Sequence, residues 1–102
     1  MKPVLIHSAA RAELDDAIAF YESRAHGLGR DLQAKVEDAV AQIRRRPEAW
    51  PPHKDGGFRK CFTARFPFTV FSMELPDCIW VAAIAHGSRR PGYWSERQRD
   101  QD

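Results

Sequence analysis

Cysteine is scarce in this 102-residue chain: Cys61 and Cys78 stand seventeen residues apart and outside any CxxC pair. That spacing supports neither a disulfide scaffold nor a thiolate zinc cluster, so both thiols are expected to fill the core. Long apolar runs are missing as well. The longest strong run, Cys78 to Ala85, has eight residues, where a bilayer-spanning helix needs roughly 20. The opening stretch Met1 to His7 holds only the three consecutive apolar residues Val4, Leu5 and Ile6, too few for the core of a secretory signal. Histidines are dispersed at 7, 26, 53 and 86, and the acidic residues lie mostly on the predicted helices. No metal and no cofactor are therefore expected. A cytoplasmic protein with reduced thiols and no membrane contact is the expectation.

What is present is enough for one small core. Hydrophobic residues make up 43% of the chain, with eleven Phe, Tyr and Trp, and 29% charged residues suit a solvated surface rather than disorder. One domain spanning 1–102 is expected, with a tail from about residue 95 loosely ordered. The formal charge of +2 is unevenly placed. Residues 1–43 carry five Lys and Arg against seven Asp and Glu, whereas residues 44–99 carry eleven against five, and nine of those eleven are Arg. Arginine forks suit phosphates and carboxylates, so the basic half implies an anionic partner.

Patterning gives the elements. Val4 to Ile6 reads as a short strand, with Ser8 as the cap of a helix over Ala9 to about Arg24. Along that helix Ala10, Leu14, Ala17, Ile18 and Tyr21 form the apolar stripe. Gly27 and Gly29 break it. A second helix follows through Leu28, Leu32, Val36, Val40 and Ile43, closed by Arg44, Arg45 and Arg46 and stopped by Pro47. The turn-rich stretch Trp50 to Gly57 reads as a surface loop. Phe58–Ala64, Phe68–Leu75 and Cys78–His86 read as strands, with a turn at Pro76-Asp77. The last is apolar throughout and is expected at the centre of the sheet. The expected fold class is α+β: an N-terminal strand, an antiparallel helical hairpin, then a three-stranded antiparallel meander, forming one four-stranded sheet.

Strand alternation from Phe58 places Arg59, Cys61, Thr63 and Arg65 on one face. A hairpin centred on Pro76-Asp77 pairs residues whose numbers sum to about 153, which sets His86 opposite Pro67 and within reach of Arg65. Arg65, His86, Arg89 and Tyr93 are thereby expected at one end of the sheet. Such a set suits metal-free RNA cleavage, with His86 or Tyr93 moving protons and the arginines holding the phosphate. Tyr93 and Trp94 can stack on unpaired bases or pin the tail to the sheet.

The elements with Glu13-Leu14, Tyr21-Glu22, Gly27-Leu28-Gly29, Arg65-Phe66-Pro67-Phe68 and His86-Gly87-Ser88-Arg89-Arg90-Pro91-Gly92-Tyr93-Trp94 resemble the RelE/ParE superfamily of toxins. The resemblance covers nearly the whole chain. It implies a type II toxin–antitoxin (plasmid stabilisation) module with a cognate antitoxin encoded alongside, and contact with operator DNA only through the antitoxin complex. Two targets are implied, ribosome-bound mRNA for RelE-like members and DNA gyrase for ParE-like ones. A non-toxic relic or binding module of the same fold is the third reading. On this resemblance Arg65, His86, Arg89 and Tyr93 match positions near the functional residues of the nuclease branch and are the catalytic candidates. Lys54, Arg59, Lys60, Arg90 and Trp94 are the candidates for RNA or partner binding. The catalytic lysines of the RelE-like branch are reduced here to Lys54 and Lys60, and the helical hairpin and Tyr93-Trp94 ending look more ParE-like.

Overall fold

A computed structural model describes residues 1–53 and 57–99. The order is β1 (Val4–Ile6), α1 (Ser8–Arg24), α2 (Leu28–Arg45), a 3-10 turn (Pro47–Ala49), β2 (Arg59–Phe62), β3 (Phe68–Glu74) and β4 (Ile79–His86). These form one four-stranded sheet in the order β1-β4-β3-β2. The meander β2-β3-β4 is antiparallel, while β1 runs parallel to β4, so the sheet is mixed. The apolar β4 does lie inside the sheet, and seven of its eight residues are buried.

The helical hairpin covers one face. Ala10 and Leu14 from α1 and Leu32, Val36, Ala39 and Ile43 from α2 join Cys61, Phe68, Val70, Ile79, Val81 and Ile84 in the larger core. A smaller cluster of Cys78, Trp80, Ala82, Ala83 and Trp94 fills the other face, packed against Phe58, Phe71 and Met73. Both cysteines are free and buried.

His7, rather than Ser8, caps α1. Its Nδ1 accepts the Ala9 backbone N–H at 3.0 Å, and Ser8 is already the first helical residue. At the hairpin, Gly27 takes φ +86°, which a side chain would resist. The Glu22 carboxylate accepts the N–H groups of Gly27 and Gly29 at 2.9 and 3.0 Å, and these bonds hold its carboxyl below the usual range.

Gly29 is required for a different reason: a Cβ there would stand 2.6 Å from the Ile18 carbonyl oxygen and 3.0 Å from the Glu22 Cβ. Neither α1 backbone nor a Cβ can step aside. Gly29→Ala is expected to cost ~2 kcal/mol by forcing the helices apart, despite alanine's better helix propensity. Urea unfolding checks this, and a stabilised variant would contradict it.

β3 and β4 do not keep one register. Ser72, Met73 and Glu74 face Val81, Trp80 and Ile79, the predicted sum of 153. Beyond a shift between Phe71 and Ser72, Phe71 faces Ala83 and Phe68 faces His86. Ala82 is the extra residue of a β-bulge, so His86 pairs with Phe68 and not with Pro67. The bulge also reverses the side-chain alternation of β4. Ile79 and Val81 face the helices before it, and Ile84 does so after it. His86 is thereby carried to the helix side as well.

Candidate functional site

β1 pairs only with Ile79 to Val81. From Ala82 onward, no strand among the described residues lies along that flank of β4, and side chains take the place of one. The Glu13 carboxylate on α1 accepts the Ile84 backbone N–H at 3.0 Å, and Arg97 from the tail donates to the Ala82 carbonyl at 2.9 Å. Glu13 and Arg97 also pair with each other at 2.8 Å, their side chains 14% and 18% exposed. The Tyr93 hydroxyl completes the group, donating to Glu13 Oε2 at 2.6 Å.

These contacts fix the protonation states. Burial pushes the Glu13 carboxyl up, but the bonds from Arg97, Tyr93 and Ile84 outweigh it and leave the pKa below the usual range. The Tyr93 phenol is driven well above its ordinary value, first by burial and then by the hydrogen bond it donates to the Glu13 carboxylate. Arg97 is raised by the same carboxylate.

Beside this group lies a half-open pocket of about 380 Å³ between α1 and the end of β4. Ala17, Phe20, Tyr21 and Phe68 form its apolar part, and Asp16, His86, Ser88 and Arg89 its polar rim. His86 Nδ1 accepts the Ser88 backbone N–H at 2.9 Å and lies 2.8 Å from the Ser88 hydroxyl. With Nδ1 accepting, the neutral ring carries its proton on Nε2. The Arg89 guanidinium lies 3.8 Å from the centroid of the Tyr93 ring, a cation–π contact.

Three of the four residues expected to be catalytic, His86, Arg89 and Tyr93, thus line one pocket. Arg65 does not. It sits in the turn between β2 and β3 at φ +72°, outside the strand alternation that placed it with Arg59. Its guanidinium lies 3.4 Å from Asp31 of α2, with both side chains half exposed. The carboxylate nearest Arg65 therefore belongs to the helical hairpin.

The expected binding residues separate further. Trp94 is 2% exposed and lies among Phe58, Phe71 and His53, with ring centroids 4.8, 4.5 and 5.4 Å away. It packs the sheet face opposite the helices and cannot stack on a base. Arg59 is half-buried and donates to the Trp50 carbonyl at 2.8 Å, which anchors the loop before β2. Lys60 is half-buried on β2, and Arg90 is exposed beside the pocket residue Arg89. Lys54 lies outside the described residues. In the tail, Arg97 holds Glu13 and Arg99 forms a forked pair with Asp77 at 2.8 and 3.1 Å.

Sequence reasoning missed Glu13 and Arg97. Their i-to-j separation of 84 carries no local signal, although Glu13 lies one step off the apolar stripe of α1 and so at its boundary. No group of three or more His, Cys, Asp or Glu suited to a metal ion occurs among the described residues.

Neither a known family pattern nor a curated protein matches the sequence. Among solved structures, a chain of the chromosomal ParDE toxin–antitoxin system from P. aeruginosa is similar, with a TM-score of 0.64 and 21% identity. The match covers 84% of this chain and 96% of that one. The two share a fold. It is the ParE-like α+β arrangement of a helical hairpin on a four-stranded sheet, as expected from the residues. No helix among the described residues is long and apolar enough to cross a membrane.

Proposed function

We propose that the chain is the toxin of a type II toxin–antitoxin pair and that it acts by gripping its target, DNA gyrase, rather than by cutting RNA. The observation that carries the choice of branch is the Tyr93–Glu13 hydrogen bond. A phenol whose proton is held by a buried carboxylate, itself paired with Arg97, is a poor proton donor or acceptor for RNA cleavage. His86 Nδ1 is engaged by the Ser88 N–H and lies beside the Ser88 hydroxyl rather than being free for a substrate. Arg65, directed to Asp31, adds no charge to the pocket. What remains is a mixed-charge, partly aromatic cleft suited to binding, lined by Asp16, Arg89 and the half-exposed Phe20, with the exposed Arg90 next to Arg89. The fold shared with a ParDE chain supports the same reading.

Expression from a tightly controlled promoter is expected to arrest bacterial growth, with relief on co-expression of the antitoxin encoded alongside. Purified protein should inhibit supercoiling by gyrase and leave mRNA on programmed ribosomes intact. Unaffected growth would favour a relic. A-site cuts that disappear in His86→Ala would favour the ribosome-directed reading.

A further inference from the structure

At the β2 end of the sheet, the strand edge is covered only in part. Pro52 bridges Arg59, and the Lys60 N–H donates outward to the Pro51 carbonyl at 3.0 Å. The Thr63 N–H points the other way, to the Phe68 carbonyl at 3.0 Å. Alternation therefore turns the Phe62 N–H and carbonyl outward, beyond the Pro51–Pro52 cover. The Phe62 side chain is 66% exposed and stands on the face opposite Cys61, which is buried toward the helices. On the helix side of the same edge, a groove of about 480 Å³ is lined by Lys35, Asp38 and Gln42 of α2 and by the segment Cys61 to Ala64. Lys35 and Asp38 enter no salt bridge among the described residues.

We infer that two copies of this chain pair through this edge, β2 against β2, about a two-fold axis at Phe62. An antiparallel pair centred on one outward-facing residue lets the two Phe62 residues exchange both backbone N–H···O bonds. Their rings meet on the face away from the helices as a cross-strand aromatic pair. On the helix side, the axis sets Lys35 of each copy toward Asp38 of the other. This charge pattern selects the occupant. One cation and one anion three residues apart on a helix are self-complementary under a two-fold, whereas a segment of a single sign would meet a like charge at one of the two positions. Two four-stranded sheets become one continuous sheet, and an aromatic edge otherwise open to chance pairing is closed. The pocket beside His86 shares no residue with this edge, so the pairing stands independently of the toxin reading.

The test is sedimentation of the full chain over a range of concentrations, which is expected to show a monomer–dimer equilibrium. Hydrogen exchange at the Phe62 amide should slow as the dimer fills. Phe62→Glu, at an exposed position, should weaken dimerisation at least about tenfold by setting two carboxylates against each other, with the monomer still folded by circular dichroism. Lys35→Asp and Asp38→Lys should each weaken it about fivefold, because each variant faces its own copy with like charges at two exposed contacts. Mixed together, these two variants should form a heterodimer about as tight as the native dimer, and the double variant Lys35→Asp with Asp38→Lys should recover self-association. A chain that stays monomeric at every concentration, a dimer indifferent to Phe62→Glu, or no gain on mixing the two charge variants would overturn the inference. Exchange at Phe62 that ignores concentration would do the same. None of these readouts depends on toxicity, so a harmless protein that dimerises in this way would refute the toxin reading alone.

Discussion

Glu13→Ala is expected to lose about 3 kcal/mol of folding stability, at the lower end of what removal of one partner from a buried ion pair costs. Three groups would be stranded together: the Arg97 guanidinium, the Tyr93 hydroxyl and the Ile84 N–H. For a domain of this length the loss corresponds to a melting temperature lower by roughly 12–24 °C. Arg97→Ala should also destabilise, but the double variant should lose less than the two singles combined, because the second change removes the charge that the first leaves unpaired. Urea unfolding of the four proteins checks this. A loss below ~0.5 kcal/mol for Glu13→Ala, the size of an ordinary surface substitution, would show that solvent or the tail's own freedom satisfies these groups.

The same carboxylate sets a pH signature. The folded Glu13 pKa lies below the ordinary 4.5, so its contribution is fully present above that pH and is lost as the pH falls through the folded value. The stability gap between the native chain and Glu13→Gln should therefore close on acidification below about pH 4.5. Tyr93 works in the opposite direction. Its folded pKa lies above the ordinary 10.0, so its contribution is complete below that pH and is lost as the pH rises toward the folded value.

The elements were legible because their causes are local. The i, i+3 and i+4 spacing of Leu32, Val36 and Ile43 and the breaks at Gly27 and Pro47 are properties of neighbouring residues, and the structure follows them closely. The unbroken apolar run of β4 was likewise enough to place it inside the sheet. The cap of α1 was not, because a histidine Nδ1 can do what a serine hydroxyl does and composition does not choose between them.

Placement of the site depended on two features that a periodic reading passes over. Ala82 looks like any other small apolar strand residue, yet as a bulge it decides which face His86 occupies. Unbroken alternation from Ile79 and Val81 would put His86 on the face of Trp80, away from α1. The left-handed turn at Arg65 is the second, since arginine seldom adopts it and nothing in Ala64-Arg65-Phe66 announces it. The bulge shifts the register by one residue, which is enough to move a side chain to the other side of the sheet.

Trp94→Ala is the second large effect, with an expected cost of ~3–5 kcal/mol, typical for truncating a buried aromatic. Total stability for a chain of this length is about 5–15 kcal/mol, so the variant should be close to unfolding at 37 °C. The size follows from the position. Trp94 closes the sheet face that the helices leave bare, covering Trp80 and Ala83 alongside Phe58 and Phe71. Trp94→Phe keeps an aromatic ring and should lose much less. Because Arg89, Tyr93 and Arg97 lie on the same tail, the damage is expected to reach the pocket: hydrogen exchange at Ile84, whose N–H is bonded to Glu13, should accelerate in Trp94→Ala even where the helical hairpin stays protected. Were Trp94 a platform for RNA bases, the opposite pattern would appear, with unchanged melting and weaker binding to single strands. Unaltered thermal stability in Trp94→Ala would therefore remove the packing role assigned to it and, with it, the reason the tail can hold one wall of the site.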